Sequence, residues 1–114
     1  MTITERQTGS ITVLSLAGKV TSDFTGQLKA KVTSALSAGH KQIVLDLGEV
    51  TYIDSSGLGE MVSCLTTATR ENAAIKLANL GKRSKDLLVM TKLIMVFSVY
   101  DTEAEAIASF AQPA

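Results

Sequence analysis

Tryptophan is absent from this chain, and aromatic residues make up only 4% of it. A platform on which nucleic-acid bases could stack is therefore not expected. An excess of charge of one sign is missing too: 11 Lys and Arg balance 11 Asp and Glu. That argues against nucleic acid or an anionic membrane as a partner. The single cysteine, Cys64, excludes an internal disulfide and a cysteine-rich metal site, and a reduced, cytoplasmic setting is expected. No apolar run approaches the ~18 residues that span a bilayer. The opening MTITERQTGS lacks the apolar core of a signal peptide. The one proline, Pro113, stands in the tail, so no linker interrupts the chain, and 114 residues are expected to form one domain over 1–114.

What is present is an alternation of strand and helix patterns. TITER suggests an edge strand, TGS (8–10) a hairpin turn and ITVLSLAG the next strand. Phe24, Leu28, Val32, Ala35 and Leu36 then share one helical face, with Thr21 or Ser22 able to cap its start and Gly39 placed past its end. QIVLDL (42–47) reads as a strand covered on both faces. Leu58, Met61, Val62, Leu65 and Thr69 mark a second helical face. AIKLANL, KRSKDLLVM and VFSVY read as strand, short helix and strand. DTEAEAIASF closes with a helix, in which Thr102 and Glu105 form a capping box and Ile107 and Phe110 face inward. The order predicts an α/β fold: a mixed sheet of about four to five strands with about four helices.

Catalytic patterns are missing. The serines at 55 and 56 do not lie in Gly-x-Ser-x-Gly, and the only histidine, His40, follows Gly39 at a helix end. Gly57-x-Gly59 has no third glycine and no Gly-Lys-Ser/Thr follows, so a phosphate-cradling loop is not indicated. Asp46 and Asp54 are separated by a strand end and a turn, Cys64 reads as a core thiol, and no metal-ligand spacing is present. No enzyme, cofactor or metal site is expected.

The informative stretch is VTYIDSSGLGEMVSC (50–64), where an apolar strand runs into Asp-Ser-Ser-Gly and then a helix. Asp54, Ser55 and Ser56 are all favoured N-cap residues, yet one cap is enough. Gly57 is expected to lend backbone freedom at the helix start. A phosphate on a hydroxyl there would meet unpaired N–H groups and the positive end of the helix dipole.

With VTYIDSSGLGEMV as its strongest element, and with ITVLSLAGKV, IVLDLGEV and the segment LANLGKRSKDLLVMTKLIMVFSVYDTEAEAI in support, the chain resembles the STAS family. Within it, the similarity is to the stand-alone bacterial anti-sigma-factor antagonists. The resemblance implies a module that binds an anti-sigma factor of the serine protein kinase type and so frees a sigma factor. The kinase would phosphorylate the antagonist and cause release, and a PP2C-type phosphatase would restore it. Carried onto this sequence, the phospho-acceptor is Ser55, Asp54 is the aspartate before it, and Ser56, Gly57, Leu58 and Gly59 complete the switch loop. Ser56 is then expected to serve as the cap.

One departure stands out. Many family members carry Gly-Glu-Leu-Asp after the second strand, where this chain reads Gly18-Lys19-Val20-Thr21, with Asp23 nearby. The identity of the kinase is left open by that change. Helical geometry places Glu60, Ser63 and Thr67 away from the Leu58/Met61/Leu65 stripe, on an expected partner interface. Lys82 and Arg83 either reach an anion on Ser55 or are simply solvated. Two alternatives remain: a STAS-type scaffold controlling a non-sigma partner, and a nucleotide- or anion-binding module using Gly57-x-Gly59.

Overall fold

The computed structural model describes residues 2–22 and 26–111. Strand β1 (Thr2–Thr8) turns at Gly9 and Ser10 into β2 (Ile11–Val20), and the two pair antiparallel from Thr2↔Ala17 to Thr8↔Ile11. Gly9, at φ +61°, provides the positive φ that a two-residue hairpin turn needs. Helix α1 (Gln27–Ser37) carries the chain to β3 (Gln42–Ile53), parallel to β2. Helix α2 (Ser55–Arg70), β4 (Ala74–Ala78), α3 (Lys82–Met90), a single 3₁₀ turn (Leu93–Met95), β5 (Ser98–Tyr100) and α4 (Glu103–Ser109) follow. The sheet order is β1-β2-β3-β4-β5, with every pair after the first parallel. This is the expected mixed sheet, with five strands and four α-helices among the described residues.

Alternation along the central strands divides the core in two. Leu14, Leu16, Ile43, Leu45, Ile75 and Leu77 point to one face, where α1, α2 and α3 contribute Leu28, Val32, Met61, Cys64 and Leu88. Ile11, Val13, Val44 and Ala78 point to the other, where Ala106 of α4 is buried with Ile107 and Phe110 packed beside it. Cys64 is fully buried, and its thiol is pushed up to about 12, first by burial and then by the nearby Glu60 charge. It is a core side chain.

Three expectations are corrected. β3 runs six residues past Leu47, to Ile53. Its register against β2 slips twice, between Ser15 and Ala17 and between Gly18 and Lys19, so β3 carries an extra residue at each bulge. Inward residues therefore fall at Leu47, Val50 and Ile53 rather than at every second position. A strict two-residue period loses the strand there. Thr21 and Ser22 do not cap α1, which starts after Gly26 in a left-handed conformation with no side-chain cap of its own. Thr69 is exposed, and Ala68 takes the buried place on α2. Phe24, Asp23 and Pro113 lie outside the described residues.

Candidate functional site

The bulged ends of β2 and β3 continue together to Val20↔Ile53, beyond the last β3–β4 pair at Asp46↔Ala78. α2 begins directly after them. The Asp54 amide donates to the Val20 carbonyl at 3.2 Å, which ties the loop to the end of β2. Asp54 is itself the cap: its Oδ1 accepts from the Gly57 amide at 2.8 Å, and its carbonyl accepts from the Leu58 amide at 2.9 Å. The assignment of the cap to Ser56 is thus corrected. An aspartate one residue before the helix has an extended backbone and a short reach to the third helical amide, and Ser56 is already inside the first turn.

Ser55 and Ser56 are both exposed, and neither hydroxyl is hydrogen-bonded among the described residues. Gly57 is buried for a different reason from the one expected. A Cβ built there would overlap the Val20 carbonyl oxygen and lie 2.8 Å from its carbon. The glycine permits close approach of α2 to the end of β2, and no positive φ is involved. Leu58 is buried. Gly59 is exposed, and a Cβ added there would meet no atom within 4 Å. Since the Gly57 and Leu58 amides are already engaged by Asp54, Gly57-x-Gly59 does not offer the run of open N–H groups that a nucleotide phosphate needs.

Glu60 is the largest correction. Helical geometry alone puts it on an exposed face, yet it is only 9% accessible. Its two carboxylate oxygens accept from the Gly26 amide at 2.7 Å and the Lys29 amide at 2.9 Å. α1 has no acidic residue in its own first turn, and Glu60 supplies that charge from α2. One turn on, Ser63 accepts from Lys29 Nζ at 2.6 Å and is half-buried, as is Thr67. Glu60 and Ser63 point away from the Leu58/Met61/Leu65 stripe, as helical geometry required, but toward α1. On the N-terminal half of α2, the open positions are Ser55, Ser56 and Gly59.

The loop also borders an open cleft of about 570 Å³ whose walls include Lys19, Thr21, Tyr52, Asp54 and Arg83. Arg83 therefore shares a cleft with the aspartate next to Ser55, while Lys82 is exposed outside its walls. Sequence reasoning missed Lys19 and Tyr52 as members of this surface. The signal for Lys19 was its place in the departure at 18–21, and Tyr52 was hidden by the bulged register.

The STAS domain family model matches residues 2–106. The chain belongs to the STAS family. Among its relatives is BtrV of Bordetella bronchiseptica, provisionally named an anti-sigma factor antagonist, at 24% identity over 96% of this chain and 95% of that protein. The crystal structure of a Thermotoga maritima protein, also provisionally named an anti-sigma factor antagonist, superposes with a TM-score of 0.90 at 22% identity, covering 96% and 95% of the two chains. The anti-sigma factor antagonist SpoIIAA shares the fold in its unphosphorylated form, with a TM-score of 0.76 at 22% identity over 98% and 100% of the chains. In its phosphorylated form the TM-score is 0.74 at 21% identity over 96% and 99%. Among the described residues of this STAS domain, no helix is long and apolar enough to cross a membrane, and no cluster of three His, Cys, Asp or Glu could hold a metal ion.

Proposed function

We propose that this STAS domain is an anti-sigma factor antagonist switched by phosphorylation of Ser55. The observation that carries the reading is the division of labour at 54–57. Asp54 satisfies the helix start, which leaves the Ser55 hydroxyl exposed and without a structural task. The naming of BtrV as an antagonist and the phosphorylated form of SpoIIAA support it. The partner is an anti-sigma factor with serine kinase activity, opposed by a PP2C-type phosphatase, in a cytoplasmic setting. No catalytic step is assigned to this chain.

A phosphate on Ser55 sits at the positive end of the α2 dipole, so it costs little folding stability. In a docked complex the same dianion loses water and faces whatever the partner packs there. A loss of ~3 kcal/mol weakens binding more than a hundredfold, enough to exchange partners. The test is incubation with the cognate kinase and ATP, then intact mass and fragment mapping. One phosphate on Ser55 is expected, retained in Ser56→Ala and lost in Ser55→Ala. Ser55→Ala should bind the anti-sigma factor and stay bound, and Ser55→Asp should fold normally but bind poorly. Phosphate on Ser56 alone, or none while the kinase binds, would favour a scaffold of the same fold acting on a non-sigma partner.

A further inference from the structure

The cleft beside Asp54 is one half of a larger surface. A second groove, of about 290 Å³, is walled by the apolar parts of Tyr52, Leu87 and Met90. Tyr52 and Arg83 line both hollows, so the two adjoin. In the apolar half, Tyr52 is 46% and Met90 80% exposed. Two large apolar side chains exposed on one groove mark a candidate docking surface.

Charge distinguishes the two halves. Among the described residues, Lys19 and Arg83 face the cleft with a single carboxylate, Asp54, one of whose oxygens is held by the Gly57 amide. The neighbouring turn of α3 adds exposed Lys82 and Lys85, with Asp86 on the groove side. Among the described residues the one ion pair is Arg6–Glu103, so neither Lys19 nor Arg83 has a carboxylate within ion-pair distance there. Three cations in the first turn of α3 also stand at the end of the helix dipole that favours anions.

We propose that this two-part surface selects a protein partner whose docking segment carries an acidic side chain for the Lys19–Arg83 cleft and an apolar one for the Tyr52–Met90 groove. The inference rests on the reading that the Ser55 end of the sheet is the docking face, and it gives that partner a chemistry. Lys19 and Arg83 act as specificity residues: a carboxylate is attracted and a cation at the same place is repelled, so a basic docking segment is refused. The apolar groove supplies area, and the cationic cleft supplies orientation.

The test uses the whole protein and three short helical peptides as probes: leucine–glutamate, leucine–lysine and serine–glutamate. Backbone amide and methionine methyl resonances are followed by NMR at low salt. The leucine–glutamate peptide is expected to move the signals of Lys19, Tyr52, Arg83 and Met90 saturably, and the other two are not. Lys19→Glu and Arg83→Glu, both at exposed positions, should each weaken that binding about tenfold or more while leaving the remaining spectrum in place. Added salt should weaken it in the wild type. Equal binding of the leucine–lysine peptide, shifts confined to another face, or no shift at millimolar peptide would overturn the proposal. So would concentration-dependent shifts of the same residues without peptide, which would assign the surface to a second copy of this chain. Neither kinase nor phosphate enters the titration, so its failure leaves the Ser55 switch standing, and a failed phosphorylation leaves the peptide result untouched.

Discussion

Replacing Gly57 by alanine pushes a methyl group into the carbonyl of Val20, and a backbone carbonyl cannot rotate away as a side chain can. Either α2 shifts outward or β2 bends, and in both cases the Asp54–Val20 hydrogen bond is disturbed. A cost of about 1–3 kcal/mol is expected, as for other overpacked sites, read as a lower urea midpoint. Gly59 is the internal control. It lies two residues on in the same helix with open space around it, so Gly59→Ala should be neutral or stabilise by up to about 1 kcal/mol through helix propensity. Equal effects of the two substitutions would mean that the close approach at Gly57 is not what the glycine is for. A phosphate on Ser55, as proposed, would add no group at this contact, so a modified loop and an intact fold would be compatible.

At the scale of elements, α1 and α2 are joined by a carboxylate that belongs to one and serves the other. Glu60 holds the Gly26 and Lys29 amides, and Lys29 returns a hydrogen bond to Ser63. Glu60→Ala leaves two amides at the start of α1 without partners and removes a charge that complements the α1 dipole. The expected loss is about 1–3 kcal/mol in urea unfolding, with faster hydrogen exchange at Gly26 and Lys29 than elsewhere in α1. Glu60→Gln, which keeps one acceptor oxygen, should fall between. If exchange at those two amides is unchanged in Glu60→Ala, the cross-helix cap is not contributing. Because Glu60 and Ser63 are held by α1, the open positions on the N-terminal half of α2 are Ser55, Ser56 and Gly59.

At the scale of the whole molecule, a polar network on the α4 side ties the first strand to the last helix. Arg6 donates to both oxygens of Glu103, at 3.0 and 2.7 Å, and to Ser15. Asp46 accepts from the Gly48 amide at 2.9 Å and from Asn79 at 3.1 Å. Burial alone pushes the Asp46 carboxyl up. Hydrogen bonds from the Gly48 amide and Asn79, with the Arg6 charge, pull it further the other way, and the net position is below the ordinary aspartate range. A carboxyl held low in the folded state adds stability that is fully present above the unfolded value of about 3.9 and is lost as pH falls through the folded value. Thermal midpoints should therefore decline below about pH 4, and Asp46→Asn should flatten that decline while lowering the midpoint at neutral pH. A decline of the same steepness in both proteins would place the acid sensitivity elsewhere.

The amino-acid sequence alone was enough for the order of the elements, because each carries its period locally. Lys82–Met90 appears as a helix with the boundaries expected, and Thr102 accepts from the Glu105 amide at 3.1 Å as the capping box required. Asp-Ser-Ser-Gly marked the strand–helix junction for the same reason, since a strand end meeting a helix start is a local event. What the sequence could not carry were facts that depend on a neighbour far along the chain. The inward face of β3 at Val50 and Ile53 follows from two bulges that only pairing with β2 creates. The task of Gly57 follows from Val20, more than thirty residues earlier, and that of Glu60 follows from the bare start of α1. A helical wheel states which residues share a face of α2 but not which face meets the sheet, which meets α1 and which meets water. That choice is made by packing, because burying Leu58, Met61, Cys64 and Ala68 fixes the rotation of the helix and brings Glu60 and Ser63 against α1.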